Sequence, residues 1–318
     1  MIRRWMAGLC ALLIAPAAFA QAGVPPRLIV PFATGGPTDI AARVIAPLLS
    51  ATLQRPVLVE NKVGATGAIG TEFVARAAPD GNTVLFGTSS ILAAAPAVSA
   101  RLPYDSIRGF APVGLVATIE NVLVVHPSVP VSSVQELVAY AKANPGKLSY
   151  GSSGIGSTNH LGSELFKSMT GAPIAQVPYK GAGPAAQDLV AGHIQVMFDA
   201  FNSAVPNLKA GKVKALGIAS AQRSPELPAL PTIAEQGVPG YQTTIWIGFF
   251  LPAKTPRPIV DKLHADLARV MAAPEVKERF ATLGMQPATM KPDELSRYQQ
   301  VEIQQWAKVV KDAGIKVE

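Results

Sequence analysis

The stretch Pro31-Phe32-Ala33-Thr34-Gly35-Gly36-Pro37-Thr38-Asp39 follows an apolar run, Leu28-Ile29-Val30, and precedes a helical pattern of Ile40, Val44 and Leu48. The order predicts a strand, a glycine turn and a helix with proline in its first turn. The first N–H groups of such a helix lack backbone partners and lie at the positive end of its dipole. Glycines without Cβ atoms let an anion approach them. Since the loop holds no lysine, cysteine or histidine, it indicates anion binding rather than catalysis.

The first twenty residues have the pattern of an export signal. Arg3 and Arg4 form a basic start, Trp5–Ile14 is mostly apolar, and Ala18-Phe19-Ala20 fits a small-x-small cleavage site. We expect the mature chain to begin at Gln21 and to be exported. An uncleaved anchor is the alternative, although the apolar run is short for a membrane span.

Composition excludes several classes of protein. The single cysteine, Cys10, lies in the export segment, so the mature chain has neither disulfides nor a thiol nucleophile. The net charge is +7, but lysines and arginines are scattered without aromatic interleaving, which argues against a nucleic-acid partner. The remaining length is sufficient for two domains.

Strand and helix patterns alternate along the chain, which predicts an α/β fold with a largely parallel sheet. Two extended apolar stretches, Asn121–Pro127 and Tyr241–Pro252, are candidate crossings between lobes. If both cross, residues 21–122 plus 246–318 form one lobe and residues 123–245 the other. A single long sheet would produce a similar pattern.

A second glycine loop follows the strand pattern Leu148–Tyr150 and has the same order of strand, glycine turn and helix as the first. It is Gly151-Ser152-Ser153-Gly154-Ile155-Gly156-Ser157-Thr158-Asn159-His160, and a helical pattern follows. Its hydroxyl groups add donors to the free helical amides. One such loop could be only a tight connection, but two indicate binding, because ligands of open α/β sheets lie at the carboxyl ends of strands.

Enzymatic and cofactor functions have weaker support. Asn159 replaces the third glycine of a dinucleotide motif, and no phosphate-loop motif is present. A secreted serine hydrolase could use Ser153 or Ser157 with His160, but neither serine lies in Gly-x-Ser-x-Gly. His160 and Glu164 could ligate a metal, yet a surface hydrogen bond is the commoner use of such a pair. We therefore expect no cofactor, no metal site and no catalytic residue.

Several polar and aromatic side chains are candidates for contacts with the ligand. Asp39 is either a helix cap or a ligand contact, and Asp199, at the end of a strand pattern, either caps a loop or orients a donor of the ligand. Tyr179 and Lys180 follow another strand pattern, and Lys180 could pair with a carboxylate or be solvated. The two aspartates could instead suggest a glycosidase pair, but only 6% of the residues are aromatic.

An ordered series of motifs resembles the receptors of tripartite tricarboxylate transporters, also called Bug-type extracytoplasmic solute receptors. The motifs are residues 31–39, Val59-Glu-Asn-Lys62 with Gly64 to Gly70, Pro79-Asp-Gly81, Gly109-Phe-Ala-Pro112, Tyr150-Gly-Ser-Ser-Gly154, Val177-Pro-Tyr-Lys-Gly181, Met197-Phe-Asp199 and Leu230-Pro-Thr232. This resemblance implies a type II periplasmic binding fold, two α/β lobes closing on a ligand like a flytrap.

The resemblance also implies a function: a non-enzymatic monomer in the periplasm would hold a small organic carboxylate and hand it to an inner-membrane permease. The carboxylate could be a di- or tricarboxylate, an acidic amino acid or an aromatic acid. A receptor that reports to a membrane kinase would have the same lobes. The residues expected to contact the ligand are Phe32, Thr34, Gly35, Gly36, Thr38, Asp39, Ser89, Ser90, Gly154, Ile155, Gly156, Ser157, Thr158, Asn159, Tyr179 and Asp199.

Overall fold

A computed structural model describes residues 24–154, 156–179 and 181–315. The expected export signal with Cys10, the candidate contact Ile155 and the candidate Lys180 lie outside the described residues. No helix in the described ranges combines the length and the apolarity of a membrane span.

Strands and helices alternate through most of the chain, as the sequence predicts. In chain order the elements are β1 (Arg27–Val30), α1 (Pro37–Leu53), β2 (Leu58–Asn61), α2 (Ala68–Ala75), β3 (Thr83–Thr88), a π-helical turn (Ser90–Ala94), α3 (Ala95–Val98), β4 (Phe110–Val125), α4 (Val134–Ala143), β5 (Ser149–Ser152), α5 (Thr158–Thr170), β6 (Ala175–Pro178), α6 (Ala182–Ala191), β7 (Val196–Ala200), α7 (Phe201–Lys209), β8 (Lys214–Ile218), β9 (Thr244–Pro252), α8 (Arg257–Met271), α9 (Pro274–Thr282), β10 (Met285–Pro287) and α10 (Pro292–Asp312).

The strands form two half-sheets that share β4. In the first half, β1 pairs with β2 and β3 in parallel, β9 runs antiparallel between β3 and β4, and β10 pairs with the other edge of β4. In the second half, β5 pairs with β6 and β7 in parallel, and β7 and β8 flank β4. β1 and β5, which precede the two glycine loops, therefore lie in different halves.

The long strand β4 carries the chain from one half to the other. Its residues up to Glu120 pair with β9, and Asn121 to Val125 pair with β7 and β8. The chain returns between β8 and β9, where Ala219 N donates to Asn121 O at 2.8 Å and Thr243 N donates to Ala219 O at 2.8 Å. The two connections thus run side by side.

Each half has its own apolar core on both faces of its sheet. In the first half, α1, α8 and α9 cover one face, and α10 with the π-helical turn covers the other. In the second half, α4 and α5 cover one face and α6 and α7 the other. Burial on both faces explains why β3, which is buried along its whole length, has the apolar run Val84-Leu85-Phe86 at its centre. Leu161 of α5 packs into the core of the first half, so the halves also touch through this helix.

The structure departs from the predicted elements at three places. Most of β4 was not predicted, because Pro112 and Gly114 interrupt the strand pattern; the structure places a register shift between them, where a ladder tolerates proline. The predicted crossing Tyr241–Pro252 is mainly β9, which pairs within the first half. The spacing of Thr232 and Glu235 is that of a capping box, which predicts a helix. The two residues do exchange its hydrogen bonds, at 2.7 and 3.1 Å, but turns follow instead of a helix.

Candidate ligand-binding site

The first glycine loop, residues 31–39, is held in shape by the side chain of Asp39. Gly35, at φ +84°, donates its N–H to Asp39 Oδ2 at 2.9 Å, and Arg43 Nε donates to the same oxygen at 2.9 Å. Asn61 Nδ2 donates to Asp39 Oδ1 at 2.9 Å and to Phe32 O at 3.0 Å. Both oxygens of this buried carboxylate are therefore engaged by protein donors.

These donors also explain the acidity of Asp39. The hydrogen bond from Arg43 lowers the pKa of Asp39 to about 2, helped by the Gly35 N–H and the Asn61 amide and opposed by burial. Asp39 is thus ionised at neutral pH, and its charge organises the loop around it.

Helix α1 begins with unoccupied donors. Its N-cap, Gly36, has no side chain to offer, and Pro37 at the first position has no N–H. Ile40 N donates to Gly36 O at 2.9 Å, whereas the described residues provide no acceptor for the N–H groups of Thr38 and Asp39. These two N–H groups and the half-buried Thr38 hydroxyl lie where the helix dipole favours an anion.

The second glycine loop, residues 151–160, has the same design around Asn159. Asn159 Oδ1 accepts from Ser153 N at 3.2 Å and from Ser153 Oγ at 2.9 Å, and lies 2.6 Å from Ser157 Oγ. Gly154 and Gly156 adopt φ values of +125° and +77°, which favour glycine. Asn159 thus braces its loop as Asp39 braces the first.

Helix α5 likewise begins with free donors. Ser157 is the N-cap and accepts from His160 N at 3.3 Å, while Leu161 N donates to Ser157 O at 2.9 Å. Within the described part of the chain, no acceptor is present for the N–H groups of Thr158 and Asn159. Thr158 and Asn159 are the first and second residues of α5, whereas Thr38 and Asp39 are the second and third residues of α1. Both pairs nevertheless present free N–H groups in the first turn of a helix.

The geometry does not support His160 as a catalytic base for a neighbouring serine. Its Nδ1 accepts from Gly156 N at 3.0 Å, and burial lowers the pKa of the ring, which favours the neutral form. Ser153 Oγ donates to Asn159, and Ser157 Oγ lies within 2.7 Å of Gly154 O. Among the hydrogen bonds of the described residues, neither hydroxyl contacts the His160 ring, as nucleophile activation requires.

The expected surface hydrogen bond between His160 and Glu164 is wrong. Both residues are buried, because α5 packs between the two halves. Glu164 Oε1 instead accepts from Tyr150 OH at 2.5 Å and from Lys167 Nζ at 2.7 Å. No group of three His, Cys, Asp or Glu residues in the described ranges has the arrangement of a metal site.

The remaining candidates differ in how accessible they are. Thr34 is exposed, Phe32 packs partly into both cores of the first half, and Ser89 is fully buried with its Oγ accepting from Trp246 N at 3.3 Å. Ser90 is half-buried beside Thr88, and Tyr179 is half-buried with its hydroxyl donating to Asp188 at 2.7 Å. The Ser89 side chain is thus a hydrogen-bond acceptor in the protein interior, whereas Thr34, Ser90 and Tyr179 retain solvent-accessible surface.

Asp199, the penultimate residue of β7, has one carboxylate oxygen without a hydrogen-bond partner among the described residues. This oxygen is Oδ1, and the residue is 2% exposed. Burial raises its pKa to about 6, against hydrogen bonds from Ser203 and the Ala200 N–H. β7 runs parallel to β5, with Met197 beside Gly151, so Asp199 lies at the strand end that adjoins the second glycine loop.

The structure adds a loop that the candidate list omitted. Gly64 to Gly67 all have positive φ, including Ala65 at +47° and Thr66 at +54°, and non-glycine residues rarely adopt this region. A Cβ at Gly67 would lie 3.6 Å from Phe32 Cε1 and 2.8 Å from Ile91 Cγ2. The loop therefore packs between the first glycine loop and the π-helical turn. Its glycines were visible in the sequence, but its contacts were not.

A contact also joins the second glycine loop to the first half. A Cβ at Gly156 would lie 2.6 Å from Val98 Cγ2, at the end of α3. A chain of contacts thus leads from Phe32 through Gly67 and Ile91 toward Val98 and Gly156. Two well-defined cavities among the described residues lie elsewhere and are lined by neither glycine loop.

Known proteins resemble this chain over most of its length. The family model described as "Tripartite tricarboxylate transporter family receptor" matches residues 41–315. The structure of Rpa4515 from R. palustris with adipate is 39% identical to this chain and has a TM-score of 0.79. The match covers 92% of this chain and 98% of that one. The periplasmic binding protein BugD is 37% identical, with a TM-score of 0.75 and coverages of 92% of this chain and 98% of that one.

MatC from Rhodopseudomonas palustris with bound malate is 37% identical, with a TM-score of 0.74, and the match covers 90% of this chain and 98% of that one. The similarity to these structures shows that the chain has the two-lobed α/β fold of periplasmic binding proteins, as the sequence predicted.

Proposed function

Because this chain belongs to the tripartite tricarboxylate transporter receptor family, we propose that it is a periplasmic solute-binding protein that captures a small organic carboxylate and delivers it to a transporter permease. The family consists of solute-binding receptors rather than enzymes. The proposal extends to an exported, monomeric chain whose signal is cleaved after Ala20.

The observation that carries the proposal is the matched pair of helix starts. Thr38 and Asp39 in one half, and Thr158 and Asn159 in the other, have free N–H groups at the positive ends of α1 and α5. A carboxylate accepts several hydrogen bonds at once, and bonds to a charged acceptor are short and strong. We assign carboxylate binding to these backbone groups, with the hydroxyls of Thr38 and Thr158.

The side chains of Asp39 and Asn159 have a different role in this proposal. Each side chain accepts hydrogen bonds from its own loop, so it positions the loop, and the residue contributes its backbone N–H group to the ligand. A protein carboxylate beside the ligand would otherwise repel it. The engagement of Asp39 by Arg43 reduces this cost.

Asp199 is proposed to accept a donor from the remainder of the ligand. Its free Oδ1 is the unsatisfied acceptor beside the second glycine loop, and a hydroxyl or amino group could satisfy it. Ser90, Thr34 and Tyr179 are proposed to complete the surrounding wall.

We further propose that the ligand stabilises a closed arrangement of two lobes, residues 21–122 plus 246–318 and residues 123–245. A ligand that contacts both lobes favours closure by its differential affinity for the closed state. The side-by-side connections at Asn121, Ala219 and Thr243 support a hinge at this place.

Two other functions can be distinguished from transport by experiment. A hydrolase using Ser153 or Ser157 with His160 has little support from the hydrogen bonds of these residues. A receptor for a membrane kinase would bind the same ligands, so binding experiments do not distinguish it from a transport receptor. An uptake measurement does: if the transport role is correct, deletion of the gene should abolish uptake of the bound carboxylate.

The test is a thermal-shift screen of the purified mature protein, followed by calorimetry. The panel should contain linear dicarboxylates such as adipate, hydroxy acids such as malate, tricarboxylates, acidic amino acids and aromatic acids, with the matching amides and sugars as controls. We expect one class of carboxylate to raise the melting temperature and its amides to have no effect. Stabilisation by amines or neutral sugars alone would contradict the ligand class, and turnover of the bound compound would contradict the binding role.

A further inference from the structure

A second cavity lies beside β4, and none of its lining residues belongs to either glycine loop. It has a volume of about 430 Å³. The glycine loops follow β1 and β5, which are reached from β4 through β9 and β7. The cavity is instead lined by Gln286 of β10, by residues of β4 and by residues that follow β8. This cavity is therefore separate from the proposed carboxylate site.

Both halves of the protein contribute to the cavity. Thr118 and Glu120 come from β4 and Tyr298 from α10, whereas Ser220 and Arg223 come from the returning connection. Glu120 pairs with Thr244 at the start of β9, directly before the chain passes into the second half. The shape of the cavity consequently depends on how the two halves are oriented.

Glu120 is the buried charge of this cavity and has no cationic partner among the described residues. It is 9% exposed, and burial raises its pKa, with a further contribution from Glu226 and opposition from a hydrogen bond with Ser224. The cation in the lining, Arg223, is engaged elsewhere: its Nε lies 2.9 and 3.1 Å from the two oxygens of Glu235. A buried carboxylate without a counter-ion is costly unless a cation compensates it.

We propose that this cavity binds a small organic cation, an ammonium or a guanidinium, with the carboxylate of Glu120 as its counter-ion. Thr118, Thr244, Gln242 and Gln286 supply hydroxyl and amide oxygens that accept the remaining N–H donors of such a group. Glu226, close enough to act on Glu120, adds negative potential there. The proposal does not depend on the carboxylate site, because it concerns other residues and the opposite charge.

The test uses methylguanidinium and ethylammonium as probes of the mature protein. Methionines labelled with 13C in the methyl group provide a local reporter, because Met290 lines the cavity and can be assigned by Met290→Leu. We expect the Met290 signal to shift saturably with a dissociation constant of about 1 mM, which is reasonable for probes of so few atoms. The neutral analogue methylurea should leave it unchanged.

Two variants and a control complete the test. Glu120→Gln keeps the shape and removes the charge, so it should weaken binding at least tenfold, whereas Glu278→Gln on the exposed face of α9 makes the same charge change and should have no effect. Ala221→Trp, at the exposed rim, should block the probe without altering Glu120. Absence of a saturable Met290 shift, or equal affinity in Glu120→Gln and wild type, would refute the site.

Discussion

At the scale of residues, Asp39 and Asn159 illustrate how a loop that binds an anion can be built around an acceptor. Each side chain turns back onto its own glycine loop, and each backbone N–H remains free. An aspartate is compatible with this role at the first loop because Arg43 and Asn61 also donate to it. Among the described residues no arginine donates to Asn159, and the second loop uses a neutral amide.

Asp39→Asn should destabilise the protein in a pH-dependent manner. The pKa of Asp39 is lowered to about 2, so its stabilising contribution is fully present above about pH 4 and is lost as the pH falls through about 2. We expect a loss of about 2 kcal/mol in the free energy of unfolding at pH 7, the size of a charged hydrogen bond. Urea unfolding of both proteins at pH 7 and pH 3 should show the difference shrinking at the lower pH; a constant difference would contradict the assignment.

Asp199→Asn should have the opposite effect on stability. Burial raises the pKa of Asp199 to about 6, so its ionisation costs stability above pH 6, and the cost disappears below about pH 4, where the unfolded chain is also protonated. The variant should gain about 2 kcal/mol at pH 8 and little at pH 4. If Asp199 also accepts a ligand donor, affinity for the carboxylate should fall at pH 8; equal stability gains at both pH values would exclude the charge as the cause.

Thr66→Gly should stabilise the chain. Thr66 has φ +54°, a conformation that costs a residue with a Cβ atom about 1 kcal/mol and costs glycine little. Thr66→Ala is the matched control, because it removes the same polar side chain and retains the unfavourable conformation. A melting temperature of Thr66→Gly no higher than that of Thr66→Ala would show that the loop is not strained.

At the scale of elements, the helix N-termini allow one backbone N–H to be removed. Ser157 has ψ 156°, an extended conformation that tolerates a following proline, and Thr158 is the first residue of α5, where proline is accepted. Thr158→Pro therefore deletes the N–H and hydroxyl without breaking the helix, while Thr158→Ala deletes the hydroxyl alone. Calorimetry should show at least a tenfold larger loss of carboxylate affinity for Thr158→Pro. Equal losses would remove the backbone from the proposed site.

The sequence predicted elements well where a period or a cap was clear. The strand before each glycine loop and the helix after it lie within a few residues of expectation, because glycine and proline mark these boundaries. β4 was largely missed, since its proline and its change of half depend on pairing with β9, β7 and β8 rather than on local pattern.

The site was predictable in position more than in detail. The two loops could be identified from glycine spacing, but the inward orientation of Asp39, Asn159 and Ser89 depends on contacts with Asn61, Ser153 and Trp246. Two of these partners are distant in sequence. The burial of His160 and Glu164 likewise follows from the packing of α5 between the halves, which no local spacing encodes.

At the scale of the whole molecule, the account predicts that the carboxylate brings the two lobes together. β2 and β6 lie at the two ends of the strand order, far from the shared strand β4, so labels near them report lobe movement most directly. Val63 and Ala175 are exposed at these ends, and the only native cysteine, Cys10, lies in the expected signal. Spin labels on Val63→Cys and Ala175→Cys thus give one distance between the proposed lobes.

The most direct test is this distance, measured by pulsed electron resonance with and without the carboxylate found by calorimetry. The account predicts a shorter and narrower distance distribution with ligand, and no such change when Thr158→Pro is added at the same ligand concentration. The distance should return to its ligand-free value when the ligand is removed by dialysis. An unchanged distance in a protein that calorimetry shows to be saturated would contradict binding between two closing lobes.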